Sequence, residues 1–540
     1  MNPRSSRSIL YLVAFLTACG LLGSLVSRRA GAQQSSADAS TLHNSLQRFT
    51  DAYSIVEQNY AEPLDTKRAD SAIYDGAIPD MLHVLDPHSN FFDPKAFAQM
   101  REDEHGKYYG VGMQIMQQGD KVVVVAPFEG TPSYKAGIRP GDVILAINGK
   151  SAAKMNSSDV ANKLKGPKGT PVEVTMGREG APKPLEFHLI RDEIPRNSVD
   201  LAFYVRPGIG YIHITNFQET TGREVADALQ KLSPMQGLIL DLRGNPGGLL
   251  SEAVSVAGDF LQKGQIIVSQ KGRAFPDQVY RAQHNSHYGN FPIVVLVNHG
   301  TASAAEIVSG ALQDHDRALI AGETTFGKGL VQTVYPLSES TGLALTTYHY
   351  YTPSGRLIQR NYNGVSLYDY YYNHAGAPQS DANREVKLTD SGRTVYGGGG
   401  ISPDVKIDTP KPTPLQDVLL QHMAFFNFAK SYLATRTIPR DFQVTDGVLK
   451  SFELFLTQQK IPYTDQEIAA VRDWINMSIQ SELFTSQFGQ EEGLKVRAEW
   501  DPMIGKAISL LPQALALENA AKKTLAMKTS PESPAQPAAQ

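Results

Sequence analysis

Cysteine is almost missing from this chain: Cys19 is the single one in 540 residues, and it lies close to the N-terminus. The rest of the chain therefore has no disulfide, no cysteine nucleophile and no zinc-thiolate site. An excess of charge of either sign is missing as well. With 51 Lys and Arg against 55 Asp and Glu the formal charge is −4, so the electrostatic surplus that general nucleic-acid binding requires is lacking. The basic run NKLKGPKG at 162–169 reads as a solvated turn. The 13 histidines show no H-E-x-x-H or comparable spacing, and neither a metal nor another cofactor is expected. Internal repeats of solenoid length are also lacking.

What is present is ordinary globular composition, 41% apolar and 20% charged, in a chain long enough for several domains, since single cores stop growing at roughly 250–300 residues. The N-terminus has Arg4 and Arg7, an apolar run from Ile9 to Val26, then Ala30-Gly31-Ala32. This is the pattern of an export segment. LTACG around Cys19 also has the form of a lipoprotein box, but LLGSLV continues the apolar run past the cysteine. A cleaved signal or an uncleaved membrane anchor over 1–34 is favoured over a lipoprotein, and each places the remainder outside the cytoplasm, in the periplasm or its equivalent.

Hydrophobic periodicity divides the rest into four parts and a tail. Residues 35–105 read as a helical unit: Leu42, Leu46, Phe49, Ala52, Tyr53 and Val56 keep a helical period, and a second helix covers SAIYDGAIPDMLHVL. Short β-rich runs such as KVVVVAPF, DVILAING and PVEVTMGR fill 106–195 as a compact β domain. Across 196–409 the apolar strands GIGYIHI, GLILDLRG, FPIVVLVN and RALIAGE have helical segments between some of them, which means a mostly parallel α/β core. Residues 410–525 are helical, opened by the capping box Thr413-Pro414-Leu415-Gln416. The tail 526–540 is expected to be disordered.

GETTFGKGLVQ at 322–332 matches all but the last position of the phosphate-binding motif G-x-x-x-x-G-K-[ST]. A hydroxyl must follow that lysine to hold magnesium, and a helix must start there; Gly329 follows instead, and LVQTVYPL reads as a strand. Lys328 then needs another task. If it opens the strand, Gln332 lies four residues on and shares its face, where its amide can orient the amine. Ser303 in NHGTASAAEIVSG sits between a strand and a helix, the junction at which α/β folds place reactive groups. It becomes a nucleophile if a base takes its proton. A buried lysine can be that base, because burial disfavours the ammonium form. The N–H of Ala304 at the helix start, and those of Gly247 and Gly248 in DLRGNPGG, are available to an oxyanion. Each feature also has a bland reading. Ser303 with Glu306 fits a capping box, Lys328 a solvated charge, Gln332 an exposed strand position, and DLRGNPGG a plain strand-to-helix connection. Ser151-Ala152-Ala153-Lys154 mimics an S-x-x-K motif, but it lies in the β domain without S-D-N or K-T-G.

LDPHSNFF (85–92), YYGVGM (108–113), AGIRPGDVILAING (136–149), DLRGNPGG (241–248), GTASAAEI (300–307), GETTFGKGLVQT (322–333), YYTPSGRLIQ (350–359) and GGGGISPDV (397–405) together resemble the carboxyl-terminal processing peptidases, or tail-specific proteases. The resemblance implies a Ser/Lys serine endopeptidase with a crotonase-like α/β core. It assigns nucleophile to Ser303, general base to Lys328, supporting amide to Gln332, and oxyanion donors to Ala304 and the Gly247/Gly248 turn. It makes 106–195 a PDZ domain, in which Tyr109, Gly110, Val111, Gly112 and Met113 can form a nest for the carboxylate of a protein substrate with an unstructured C-terminus, the peptide adding as a strand. The long helical region after 410 departs from many members and offers a surface for oligomerisation, for covering the cleft or for an adaptor. A PDZ module with an inert dyad, acting as a peptide-binding or chaperone-like protein, is the alternative. Acyl-CoA chemistry on the same core is a third reading, weakened by export.

Overall fold

The apolar runs of 199–322 become one sheet because each is flanked by Gly, Pro or Asn and is too short and too β-branched to compete as a helix. A computed structural model of the chain describes residues 42–286, 288, 291–373 and 384–529. The expected export segment lies outside the described residues. Among these residues no helix is long and apolar enough to cross a membrane.

The central sheet runs β1 (Val199–Arg206), β2 (Ile209–Ile214), β3 (Gly237–Asp241), β6 (Ile293–Val297), β7 (Leu319–Gly322) and β10 (Val405–Lys406) in spatial order. All neighbours are parallel except the hairpin β1/β2. Helices α1 (Thr221–Lys231), α2 (Leu250–Gly258) and α3 (Ala304–Asp314) cover one face with a core of Ile, Leu, Val and Ala. Leu240, Val295 and Val308 in that core are fully buried. A second, antiparallel sheet holds β4 (Ile266–Lys271), β5 (Gln278–Arg281), β8 (Leu330–Pro336) and β9 (Gly342–Tyr351). Its edge is Asn90–Phe92, with Asn90 opposite Ala344.

That edge strand moves a boundary. The chain divides into two units, one ending at Val84 and the other starting at Leu85, so the helical unit expected to reach 105 stops about twenty residues earlier, because LDPHSNFF joins the sheet of the larger unit. In the smaller unit a helix over 42–59 carries the predicted apolar stripe with Leu42, Leu46 and Val56 exposed.

The PDZ region is a six-stranded antiparallel sheet with Ser157–Leu164 packed on it. Among the described residues its first strand, Met113–Gln118, is bonded on one side alone, to Lys121–Pro127, which leaves an edge able to accept a further strand. The helical region after 410 has two roles where one was expected. Helices between Pro414 and Phe488 build their own core around Phe425, Phe428 and Phe452. Gln490–Trp500 joins the two, with Val496 in that core and Ala498 on the second face of the central sheet, where Pro502–Thr529 lies with Ile504, Ala507 and Leu511 against Ile239 and Val294. The last helix also runs to Thr529, four residues into the expected tail, since LAMK supplies good helix formers up to Ser530-Pro531; the remainder of the tail lies outside the described residues. A Cβ on Gly237 would lie 2.9 Å from Leu511 Cδ1, so this helix approaches the strand backbone closely. Leu511→Ala is expected to destabilise the sheet–helix unit by about 2–5 kcal/mol, seen as a lower urea midpoint.

Candidate active site

Three loops leave the carboxyl ends of neighbouring parallel strands β3, β6 and β7, and each carries one part of the site. The loop after β3 is DLRGNPGG. Asp241 is buried and bonded by Arg243 Nε and Nη2 and by the Tyr211 hydroxyl. Asn245 Nδ2 donates to Ile214 O, and Ala302 N–H donates to Asn245 O at 2.9 Å, which ties this loop to the one carrying Ser303. Gly247 has φ 97° and touches the serine turn. A Cβ there would lie 2.7 Å from Ser303 Cβ and 2.9 Å from Ala304 N, so glycine is obligatory.

The loop after β6 ends at Ser303, which has φ 53° and ψ −114°. A non-glycine residue at positive φ is strained, and such strain gathers at functional sites. The turn is held by its neighbours: Ser303 O accepts from Glu306 N–H, Ile307 N–H and the hydroxyl of buried Tyr350. The N–H groups of Ala304 and Gly248 have no acceptor among the described residues. Gly247 differs from the expectation. Its N–H donates to Asn245 Oδ1 at 2.8 Å, a side-chain turn two residues long, so its place in the site is steric and it is not a donor.

The loop after β7 carries Lys328. Here the structure shows a residue that the capping-box reading undervalued. Glu306 is fully buried. Its Oε2 accepts Ser303 N–H at 2.8 Å and Lys328 N–H at 2.9 Å, and its Oε1 accepts Gly327 N–H at 2.8 Å and the Thr325 hydroxyl at 2.5 Å. One oxygen atom thus holds the backbones of both predicted dyad residues. Its signal in the sequence is a carboxylate inside an apolar helix, AAEIVSGAL. The loop is closed from the far side by Arg360 N–H on Gly327 O and by Gln359 Oε1 on Gly329 N–H. Thr325 also receives Ile401 N–H, which places the GGGGIS stretch against it.

The Lys328 side chain is largely withdrawn from solvent, and burial pushes its amine below the ordinary lysine range, with Asp86 and Glu306 pulling the other way. Gln332 is placed otherwise than the period-two reading has it. The strand begins at Leu330, after the lysine, and a bulge separates Val331 from Gln332, so the parity is broken. Gln332 Nε2 donates to Thr346 Oγ1 at 3.1 Å, and no hydrogen bond joins it to Lys328 among the described residues.

In the PDZ region, Val111 O accepts from the N–H and hydroxyl of Ser133, and Gly112 O accepts from Phe128 N–H and the Thr131 hydroxyl. The N–H groups of Val111 and Gly112 take no acceptor among the described residues. Gly112 has φ 75°, and a Cβ on it would lie 2.4 Å from Thr131. The side chains of Val111 and Met113 belong to the domain core, while Tyr109 is exposed and Gly110 is paired to Asp192.

Comparison with known proteins agrees with this layout. Residues 208–366 match the model of Peptidase family S41, 123–178 a PDZ domain, and 415–471 the model described as Probable PDZ-protease, C-terminal helical domain. A carboxy-terminal-processing protease of Bartonella bacilliformis is 40% identical over 324 residues, 59% of this chain and 73% of that protein. The chain belongs to the carboxy-terminal processing proteases of peptidase family S41. The carboxy-terminal processing protease CtpA of Bacillus subtilis is 34% identical across 66% of this chain and 76% of its own length. A solved photosystem II D1 C-terminal processing protease is 32% identical, covering 67% of this chain and 92% of that one, with a TM-score of 0.34 that adds nothing to the sequence match. As an S41 member the protein is a serine-type peptidase with a PDZ domain, and this corrects the non-enzymatic and acyl-CoA readings.

Burial lifts the Glu306 carboxyl from 4.5 to about 7 against the four hydrogen bonds donated to it. Between those values the folded protein holds a proton that the unfolded chain has released, so stability falls as pH rises across the window. Glu306→Gln is expected to remove this slope in denaturation curves taken from pH 4.5 to 7. It also lowers stability by about 1–3 kcal/mol for each N–H left without an acceptor.

Proposed function

We propose that this S41 peptidase is an exported endopeptidase that captures protein C-termini at its PDZ edge and cleaves with a Ser303/Lys328 dyad. The observation that carries the reading is the Glu306 bridge: one buried oxygen accepts from the backbones of both residues, and the lysine is largely out of solvent. Ser303 Oγ bonds to the scissile carbonyl carbon while its proton passes to neutral Lys328 Nζ and the carbonyl electrons move onto oxygen. Ala304 and Gly248, whose N–H groups have no acceptor among the described residues, donate to that oxyanion. The lysinium then protonates the leaving amine, and water repeats the sequence on the acyl-enzyme. Gln332, fixed by Thr346, is the supporting amide.

The substrate's carboxylate sits on the Val111 and Gly112 N–H groups, and its last residues pair with Met113–Gln118. This accommodates any unstructured C-terminus, since main-chain bonds carry much of the affinity. The Arg-flanked apolar segment at 1–34 puts the work outside the cytoplasm, with or without membrane anchoring, which cell fractionation decides.

Purified protein is expected to cleave an unfolded substrate such as casein. Ser303→Ala and Lys328→Ala each lower kcat/KM by roughly 10³-fold or more, and equal cleavage by all three proteins overturns the dyad. The rate rises with pH as Lys328 loses its proton, with a midpoint below the ordinary lysine range. Binding of a peptide with a free C-terminus, followed by fluorescence polarisation on Ser303→Ala protein, is expected to weaken about ten-fold or more when that terminus is amidated.

A further inference from the structure

The turn Asp86-Pro87-His88-Ser89 is packed against the lysine loop and has no part in the chemistry described so far. Asp86 and Ser89 are 6% and 1% exposed. Asp86 Oδ1 accepts the N–H groups of His88 and Ser89, and its Oδ2 accepts the Ser89 hydroxyl, each at 2.7 Å. Ser89 Oγ in turn accepts Thr346 N–H at 3.0 Å, and Thr346 Oγ1 accepts from Gln332. A continuous chain of hydrogen bonds therefore runs from a buried carboxylate to the predicted supporting amide.

The far side of the turn is closed by aromatic rings. The His88 ring meets Phe326, two residues before Lys328, edge-on at 6.4 Å, and Tyr370 at 5.5 Å. Tyr371 donates its hydroxyl proton to Pro87 O at 2.7 Å, so His88 Nδ1–H donates to Tyr371 Oη and the Tyr370 hydroxyl donates to Nε2. Burial together with Lys328 keeps the ring's pKa down at about 3, so the imidazole is neutral and its Nε2 is the acceptor in the bond with Tyr370. The groups acting on Lys328 are thus Asp86 and neutral His88 from the turn and Glu306 from α3, with Arg360 held between Phe326 and Tyr370 at 4.4 and 4.3 Å.

Among the described residues Asp86 makes no ion pair. A buried carboxylate without an ion pair is costly, and the amine of Lys328, when protonated, is a cation within its field. We propose that Asp86 is a positioning residue of the Ser303/Lys328 site: its charge stabilises the lysinium formed when the serine proton moves, and through Ser89 and Thr346 it fixes Gln332. The proposal rests on the dyad reading above.

The test separates charge from structure, and separates this proposal from the dyad. In a Ser303→Ala background, which cannot digest itself, competitive acetylation of Lys328 by acetic anhydride is followed by mass spectrometry against pH. Asp86→Asn, which can keep acceptors for the turn's two N–H groups, is expected to lower the Lys328 midpoint by roughly one pH unit. Ser89→Ala, which keeps the charge, leaves the midpoint in place. In the active enzyme Asp86→Asn moves the acid limb of kcat/KM by the same amount and lowers kcat about ten-fold, while Ser89→Ala lowers kcat without moving the limb. An unmoved midpoint in folded Asp86→Asn protein overturns the proposal, as does an equal shift in Ser89→Ala. Asp86→Ser caps the same turn without charge and replaces the Asn variant if that one does not fold. A wild-type acid limb unrelated to the Lys328 midpoint counts against the dyad, whereas the labelling result stands by itself.

Discussion

A single buried carboxylate ties the loop of Ser303 to the loop of Lys328. Glu306 lies in the mostly apolar first half of its helix, and it takes four donors from two different loops. A backbone bond from Phe326 N–H to Thr301 O at 2.9 Å joins the same two loops beside it. The consequence is rigid relative placement of two side chains that lie 25 residues apart in sequence. Burial of a polar group without partners is expensive, so the same four bonds that place the backbones of Ser303 and Lys328 make the carboxylate tolerable in the core. The burial of one residue and the placement of two loops are thus a single arrangement.

The strain at Ser303 is understandable in the same frame. A serine at φ 53° lies outside its comfortable backbone range, and it persists because its carbonyl is bonded from three directions and its N–H by Glu306. Gly247 lies where a side chain would collide with the serine, and Asn245 consumes the N–H that a freer glycine turn would offer. The glycine-rich turn is therefore shaped by its neighbours more than by its own flexibility.

Much of this was legible from residue order. The parallel strands announced themselves as short apolar runs, and Ser303 and Lys328 stood at loop positions where strands end. The sequence motifs also pointed to a PDZ domain, whose family model matches residues 123–178. What was hidden has physical causes. The parity argument for Gln332 failed because a bulge is a local irregularity that no alternation reveals. The split of the C-terminal helices was invisible because an apolar helix face does not state whether it packs on its siblings or on a distant sheet. LDPHSNFF could be read as a motif, but its pairing with β9 spans more than 250 residues of chain. Glu306 was seen, and was misjudged, because a capping box explains a glutamate at that spacing so well that a second duty is not sought.

The helical region after 410 also touches the PDZ domain. Lys430 pairs with Glu179 at 2.8 Å, its aliphatic stem runs over Gly141 so closely that a Cβ there would lie 2.8 Å away, and Asn427 receives a bond from Gln118. Exposed pairs of this kind contribute only about 0–1 kcal/mol, while the last helix buries its apolar face on the central sheet. The C-terminal helices therefore form a strut with one welded end and one clipped end: the last helix is fixed on the central sheet, and the contact with the PDZ domain is the weaker joint.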